Sequence, residues 1–350
     1  MLCVGIPRWK QGYLPSFIAG PELEVLFVSE SALSLRAHDA VLLWGTQNRH
    51  RSVAARADAT RVPVWRMEDG FLRSVGLGSD LEEPLSLVVD TCGIYYDPNV
   101  PSDLERTLAE GEFGAAELAR ANSLRTRIVD AGISKYNVGL RRPVGPVDGG
   151  RPVVLVIGQV EDDASIELGT LDVRRNEDLL RAARLVRPHA HLIYKPHPDV
   201  VRGHRSDSLP LSLARRLCDE VVVHASLADC LNAADEVHTM TSLVGFEALM
   251  RGLRVMTYGQ PFYSGWGLTE DRHPHPRRTR ALSLDELVAG TLLRYARYVD
   301  PVTGQRTTAE ATLERLLRKR RETPLKRLGL IGRQVRRLRN IVRGALGRAL

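Results

Sequence analysis

Lys195-Pro196-His197-Pro198 sets a lysine and a histidine on a segment stiffened by two prolines, directly after an apolar run that reads as a strand. Both side chains are donors suited to a phosphate or to a departing oxygen. A His-Pro pair standing alone is more often an ordinary surface turn. A second cluster changes its weight. Thr239-Met240-Thr241-Ser242-Leu243-Val244-Gly245-Phe246-Glu247 also follows a short strand-like run and opens a helix. Ser242 is a good helix N-cap, and free backbone N–H groups there would attract an anion. Glu247, just over one turn in, is placed to accept from ribose hydroxyls; the plainer reading is capping plus a solvated glutamate.

Two further clusters carry carboxylates. Gly158-Gln159-Val160-Glu161-Asp162-Asp163 follows the most apolar run of the chain and reads as a solvated acidic loop, a metal site or a catalytic segment. In the first half, Glu68, Asp69 and Arg73 lie within Glu68-Asp69-Gly70-Phe71-Leu72-Arg73-Ser74. Arg73 suits bidentate recognition of a carboxylate, and an ion pair at a strand end is an equal alternative.

The elements that must position these residues follow from the apolar pattern. Runs at 24–28, 40–44 and 62–66 read as buried strands, with a crossover helix at 51–59. A Pro/Gly-rich stretch at 144–151 marks a domain boundary. Val153-Val154-Leu155-Val156-Ile157 then reads as a central parallel strand covered on both faces. Helices at 176–186, 227–234 and 242–251 alternate with strands at 192–194, 221–223, 236–239 and 254–258. The expected class is α/β, with two Rossmann-like domains facing a cleft, at 1–145 and 151–312, and a basic amphipathic tail at 313–350. Neither half carries GxGxxG after its first strand, and no GxxxxGK[ST] occurs, which disfavours dinucleotide and P-loop chemistry.

The four cysteines show no paired spacing and read as reduced thiols, with no zinc site expected. No secretory signal is legible at the N-terminus. The net charge of +7 is uneven: residues 315–350 hold thirteen Lys or Arg against Glu322, leaving −5 for the rest.

The KPHP segment followed by TSLVGFEAL resembles bacterial glycosyltransferases that use CMP-sugars, where such motifs hold the CMP. The sequences MEDGFLRSVGLG from Met67, GIYYD from Gly93, GQVEDDAS from Gly158 and GQPFYSGWGLT from Gly259 narrow the likeness. Together they resemble the capsular-polysaccharide β-Kdo transferases of the KpsC type, from about Gly5 to about Tyr298. The resemblance implies a glycosyltransferase-B-like fold and a retaining enzyme. It also implies a carboxylate nucleophile in the GQVEDDAS segment, Asp163 or its neighbour Asp162. Lys195, His197, Thr241, Ser242, Glu247 and Gln159 would hold the donor CMP-Kdo, while Glu68, Asp69 and Arg73 would hold the acceptor or sugar. No cofactor and no metal is expected, since CMP leaves as a monophosphate. The aromatic residues at 261–268 read as packing or as a ligand-covering loop, and His273 and His275 receive no role. Typical members of the family carry two such modules, and one set of motifs is present here. This implies a second Kdo transferase for a second linkage, or a different acceptor.

After Pro324, apolar residues recur at helical spacing among arginines, a pattern suited to an anionic membrane surface rather than to nucleic acid. The expected setting is therefore cytoplasmic and peripheral to the inner membrane, acting on a lipid-linked sugar. Deleting the residues after Pro324 should lower binding to anionic vesicles in a sedimentation assay while preserving activity on a soluble acceptor; unchanged vesicle binding would refute the anchoring role.

Overall fold

Short apolar runs broken by polar, helix-compatible stretches leave most parallel strands followed by a helix able to cover them. The computed structural model describes residues 1–322 apart from 19, 21–22, 37–38, 47–49, 79–80, 147–149, 202 and 204–208. Most of the expected basic tail, from residue 323 onward, lies outside the described residues. In chain order the strands are β1 (Leu2–Val4), β2 (Leu26–Val28), β3 (Val41–Trp44), β4 (Val64–Asp69), β5 (Ser86–Asp90), β6 (Val153–Ile157), β7 (His191–Lys195), β8 (Glu220–Val221), β9 (Glu236–Thr239), β10 (Arg254–Thr257), β11 (Glu270–Asp271), β12 (Ala296–Val299) and β13 (Arg306–Thr307).

The chain forms two compact units. The first comprises Met1–Ile94, Val100–Leu104 and the residues from Thr291 onward; the second comprises Tyr95–Asn99 and Glu105–Gly290. The Pro/Gly-rich stretch at 144–151 thus falls inside the second unit rather than between the two. The chain also re-enters the first unit at Thr291, well before residue 312. Leu313 and Leu316, assigned from sequence to the tail, are buried on helix Ala309–Glu322 in the first unit.

The first sheet runs β13-β12-β5-β4-β3-β1-β2. β1 to β4 are parallel, as the strand–helix alternation implies, and helix Arg51–Ala59 is the crossover between β3 and β4. β5 departs from that expectation and pairs antiparallel with β4, as β12 does with β5 and β13 with β12. No helix separates β4 from β5 among the described residues, so the chain doubles back beside the strand it has left. All four residues of β3 are buried because both faces of the sheet are covered: Leu42 and Trp44 enter one apolar cluster, Val41 and Leu43 the other.

The second sheet runs β11-β10-β9-β6-β7-β8 and is parallel throughout. Helix Asn176–Val186 joins β6 to β7 and buries Leu179, Leu180 and Ala183 against Val154, Val156 and Leu192. Each fully buried leucine of this kind contributes roughly 2 kcal/mol. From β6 the chain first builds outward through β7 and β8, then crosses to β6's other side for β9 to β11. The carboxyl ends of β6 and β9 therefore flank a topological switch point, the position where open α/β sheets bind ligands. No helix among the described residues is long and apolar enough to cross a membrane.

The amino-terminal end of β9 holds a buried charge network. Both oxygens of Glu236 are met by Arg187, at 2.9 and 3.0 Å, and His238 Nε2 lies 2.9 Å from Oε1. Burial opposes ionisation of Glu236, but the hydrogen bonds from His238 and Arg187 outweigh it and hold its pKa at about 2. A depressed carboxyl pKa stabilises the fold above its unfolded value of 4.5 and loses that contribution as pH falls toward 2. The free energy of denaturant unfolding should therefore decline across this window by up to about 3 kcal/mol in the wild type. Glu236→Gln should show a shallower decline; identical pH profiles would refute the linkage.

Candidate active site

At the switch point, the buried Gln159 links the loop after β6 to the loop after β9. Its Nε2 donates to Thr241 Oγ1 (3.0 Å), and its Oε1 accepts from the Thr241 N–H (2.8 Å). Thr241 Oγ1 in turn donates to Ser165 Oγ (3.3 Å). The backbone of Gln159 is clasped by Asn176, which accepts from its N–H and donates to its carbonyl, both at 2.9 Å. These bonds satisfy polar groups that burial would otherwise leave at a cost of about 1–3 kcal/mol each.

Asp163 closes the same network. It is the N-cap of helix Ala164–Gly169, and its Oδ1 accepts from Ser165 N (2.9 Å) and Ser165 Oγ (2.7 Å). Oδ2 has no partner among the described residues, and the side chain is half-buried. One oxygen is thus pinned while the other is presented. Asp162 is exposed, and Glu161 is occupied as an acceptor from Asn176 N at 2.7 Å.

β7 ends beside β6, with Gly158 N bonded to Lys195 O at 2.9 Å. Lys195 is the last residue of the strand rather than part of the loop. Its Nζ donates to Val223 O at 3.0 Å, and burial lowers its pKa. His197 Nδ1 accepts from Asp199 N at 3.2 Å, which selects the tautomer that carries its proton on Nε2.

The helix after β9 spans Val244–Leu249, so Leu243 and not Ser242 precedes its first residue. Ser242 still steadies the turn: its Oγ accepts from Val244 N at 3.2 Å, and its N–H donates to Thr239 Oγ1. Glu247 is buried, not solvated. Its Oε1 accepts from Lys135 N at 2.8 Å, its Oε2 is enclosed without a partner, and burial raises its pKa. The aromatics at 261–268 are packing: Phe262, Tyr263 and Trp266 are buried, and Tyr263 OH donates to Ser242 O at 2.6 Å. A Cβ on Gly245 would overlap that Tyr263 hydroxyl, so only glycine fits there. His273 pairs with Asp172, and His275 is buried against Pro98 O.

Lys135 belongs to a turn that the motif reading passed over. Ser134 N donates to Asn137 Oδ1 (3.0 Å), Asn137 N to Ser134 Oγ (3.2 Å) and Asn137 Nδ2 to Ser134 O (2.7 Å). The signal available in the sequence was an asparagine between two glycines; Gly132, Asn137 and Gly139 all take positive φ.

The first unit holds the remaining candidates. Glu68 Oε1 accepts from Trp44 Nε1 at 3.1 Å and from Asp69 N at 2.9 Å. Arg73 is 1% exposed, and its Nε meets Asp69 Oδ2 at 2.6 Å while Nη1 donates to Ser74 Oγ at 2.9 Å. The geometry is that of the strand-end ion pair. Among the described residues one cluster, Asp90, Cys92 and Asp103, has metal-like spacing. Its carboxylates accept from the N–H groups of Thr91, Cys92, Gly93 and Asp103 and from Tyr295 OH, a set of bonds that holds the turn after β5.

The model of the family described as "Capsule polysaccharide biosynthesis protein" matches residues 39–142 and 147–306. The chain is 44% identical over 324 residues to "Capsule polysaccharide modification protein LipA" of Neisseria meningitidis serogroup B, covering 91% of this chain and 46% of that protein. It spans about half the length of that relative. Two solved chains of KpsC from Thermosulfurimonas dismutans are similar in structure. The one titled beta Kdo 2,4 transferase gives a TM-score of 0.77 at 34% identity, covering 90% of this chain and 97% of its own. The one titled beta Kdo 2,7 transferase gives 0.71 at 37%, covering 91% and 99%.

Replacing Arg73 by methionine should strand Asp69 and cost about 3–5 kcal/mol in denaturant unfolding. An unchanged unfolding curve with a raised acceptor KM would instead assign Arg73 to ligand binding.

Proposed function

The chain belongs to the capsule polysaccharide biosynthesis protein family, and from that premise we propose that it is a retaining β-Kdo transferase using CMP-Kdo. The observation carrying this reading is the arrangement of Asp163, with Oδ1 held by Ser165 and Oδ2 presented beside the switch point. Retention at the anomeric carbon takes two displacements. In the first, Asp163 Oδ2 bonds to that carbon as the bond to the phosphate oxygen breaks and CMP leaves with the electron pair. In the second, the acceptor hydroxyl bonds to the same carbon, the carboxylate departs, and the hydroxyl proton passes to a base.

The residues around the carboxylate have complementary tasks. His197, protonated at Nε2, donates to the departing phosphate and offsets the charge that develops there. Gln159 and Thr241 fix the loop that carries Asp163, and Ser242 follows Thr241 in the turn that leads into the next helix. A monophosphate leaving group lets protein cations and hydrogen-bond donors suffice without a metal. The product is a Kdo linkage on a lipid-linked acceptor of a capsular polysaccharide, made on the cytoplasmic side with the basic tail at the anionic inner-membrane surface. Any second Kdo linkage is assigned to a second Kdo transferase module. Glu68, Asp69 and Arg73 remain the candidates of the first unit for the acceptor or sugar, with Arg73 also paired to Asp69.

Asp163→Asn is the clean test, because an asparagine carbonyl can still accept from Ser165 and keep the helix cap. With CMP-Kdo and a Kdo-terminated acceptor, the wild type should transfer, and Asp163→Asn should fall by roughly a thousandfold while melting normally. Stalling the second step should leave one Kdo on Asp163, readable by mass spectrometry. Activity retained in Asp163→Asn would remove the nucleophile assignment. Transfer from CMP-sialic acid and not CMP-Kdo would make this a different CMP-sugar transferase, and transfer from neither would favour a non-catalytic role in capsule assembly.

A further inference from the structure

A departing CMP carries a phosphate that a full positive charge stabilises. Lys195, the lysine expected to supply that charge, has its amine turned to Val223 O and buried, with its pKa lowered. Another lysine reaches the same edge of the sheet. The segment after helix Ala115–Asp130 is tied at one end to the helix that follows β9, through Lys135 N and Glu247 Oε1 at 2.8 Å. At its other end, Leu140 N donates to His224 O and Ser226 N to Leu140 O, both at 2.8 Å, in the segment that follows β8. Gly139, at φ +102°, lies so close to Ala225 and Ser226 that a side chain there would collide with their backbone. Residues 135–140 therefore run along the carboxyl edge of the sheet, between elements that leave β9 and β8. The ends of β6 and β7, with Asp163 and His197, lie between those same strands.

Within that segment, the turn at 134–137 is fixed by its three Ser134–Asn137 hydrogen bonds. A lysine at the tip of a locked turn gives up little backbone entropy when it binds a ligand. Lys135 Nζ rests 5.5 Å from the centroid of the Tyr136 ring, and both side chains are half-buried. Glu247 is the other half of the device. Its Oε1 accepts from the Lys135 N–H and the carboxylate is sealed from solvent, so in this arrangement it acts on the turn. Arg251, donating to Glu247 O and Ile133 O, braces the base of the same turn.

We propose that Lys135 is the phosphate-binding cation of the nucleotide site, with Glu247 as the positioning residue that holds its backbone. This rests on the reading of the chain as a CMP-sugar enzyme and adds a residue that the motif pattern did not nominate.

Titration calorimetry with CMP and with cytidine separates the possibilities, because the two ligands differ only by the phosphate. Lys135→Ala should weaken CMP by about tenfold or more and leave cytidine within about twofold, and Lys135→Arg should restore most of the loss. Glu247→Ala should reproduce the phosphate-selective loss. Glu247→Gln, whose amide oxygen still accepts from Lys135 N–H, should spare CMP. Thermal melting of each variant confirms that a folded protein is being compared. Equal weakening of CMP and cytidine in Glu247→Ala would assign Glu247 to the nucleoside and overturn its positioning role. Unchanged CMP binding in a folded Lys135→Ala would overturn the lysine assignment while leaving the donor reading intact. A wild type that binds neither CMP nor cytidine would remove the donor reading, and this assignment with it.

Discussion

The buried amide of Gln159 is the constraint from which the second unit's site is built. A primary amide offers two donors and an acceptor with two lone pairs, and here both ends face Thr241, on the far side of the switch point. Neither a carboxylate nor an apolar side chain of the same size could satisfy both a hydroxyl acceptor and a backbone N–H. The position of Ser165, and through it the orientation of Asp163, depends on this cross-link because Thr241 Oγ1 donates to Ser165 Oγ. Asn176 applies the same chemistry from behind, clasping the Gln159 backbone so that the side chain has one direction to point.

A buried charge pair holds backbone geometry in each unit. Arg73 and Asp69 shape the loop leaving β4, and Arg187 and Glu236 anchor the start of β9. Burying such pairs is at best energetically neutral compared with apolar packing, but removing one partner is severe. Both pairs therefore act as geometric pins. This explains why residues of catalytic type in a strand-end loop can be poor guides to chemistry: Arg73, with a guanidinium suited to a carboxylate ligand, already has one inside the protein.

Sequence patterning carried part of each unit well. Helices 51–59 and 176–186 fall at their expected bounds, because each has apolar residues on one stripe and polar flanks that end it. β6 was legible as a central strand from five consecutive apolar residues. The antiparallel edge of the first sheet was not: Ser86–Asp90 is equally buried but brackets its three apolar residues with a serine and an aspartate, and nothing in such a run encodes which neighbour it will pair with or in which direction. The motifs at Asp163 and Thr241 were visible as residue types, while their connection through Ser165 was not. The turn at Lys135 was missed because its information lies in backbone conformation, which polar residues without periodicity do not announce. Lys195 was misplaced by one position, enough to turn its amine from the loop to the carbonyl of Val223.

The return of the chain to the first sheet has a consequence for the order in which the molecule is made. β12 pairs with β5, yet more than half of the sequence is synthesised between them. On a ribosome, β1 to β5 would emerge with the outer edge of β5 unpaired, while the whole of Glu105–Gly290 is still to come. That open edge is a template for pairing with other nascent chains until residues 296–299 arrive to cover it. The second unit, continuous apart from Tyr95–Asn99, is under no such wait. Vectorial synthesis thus favours completing the second unit first and sealing the first unit last.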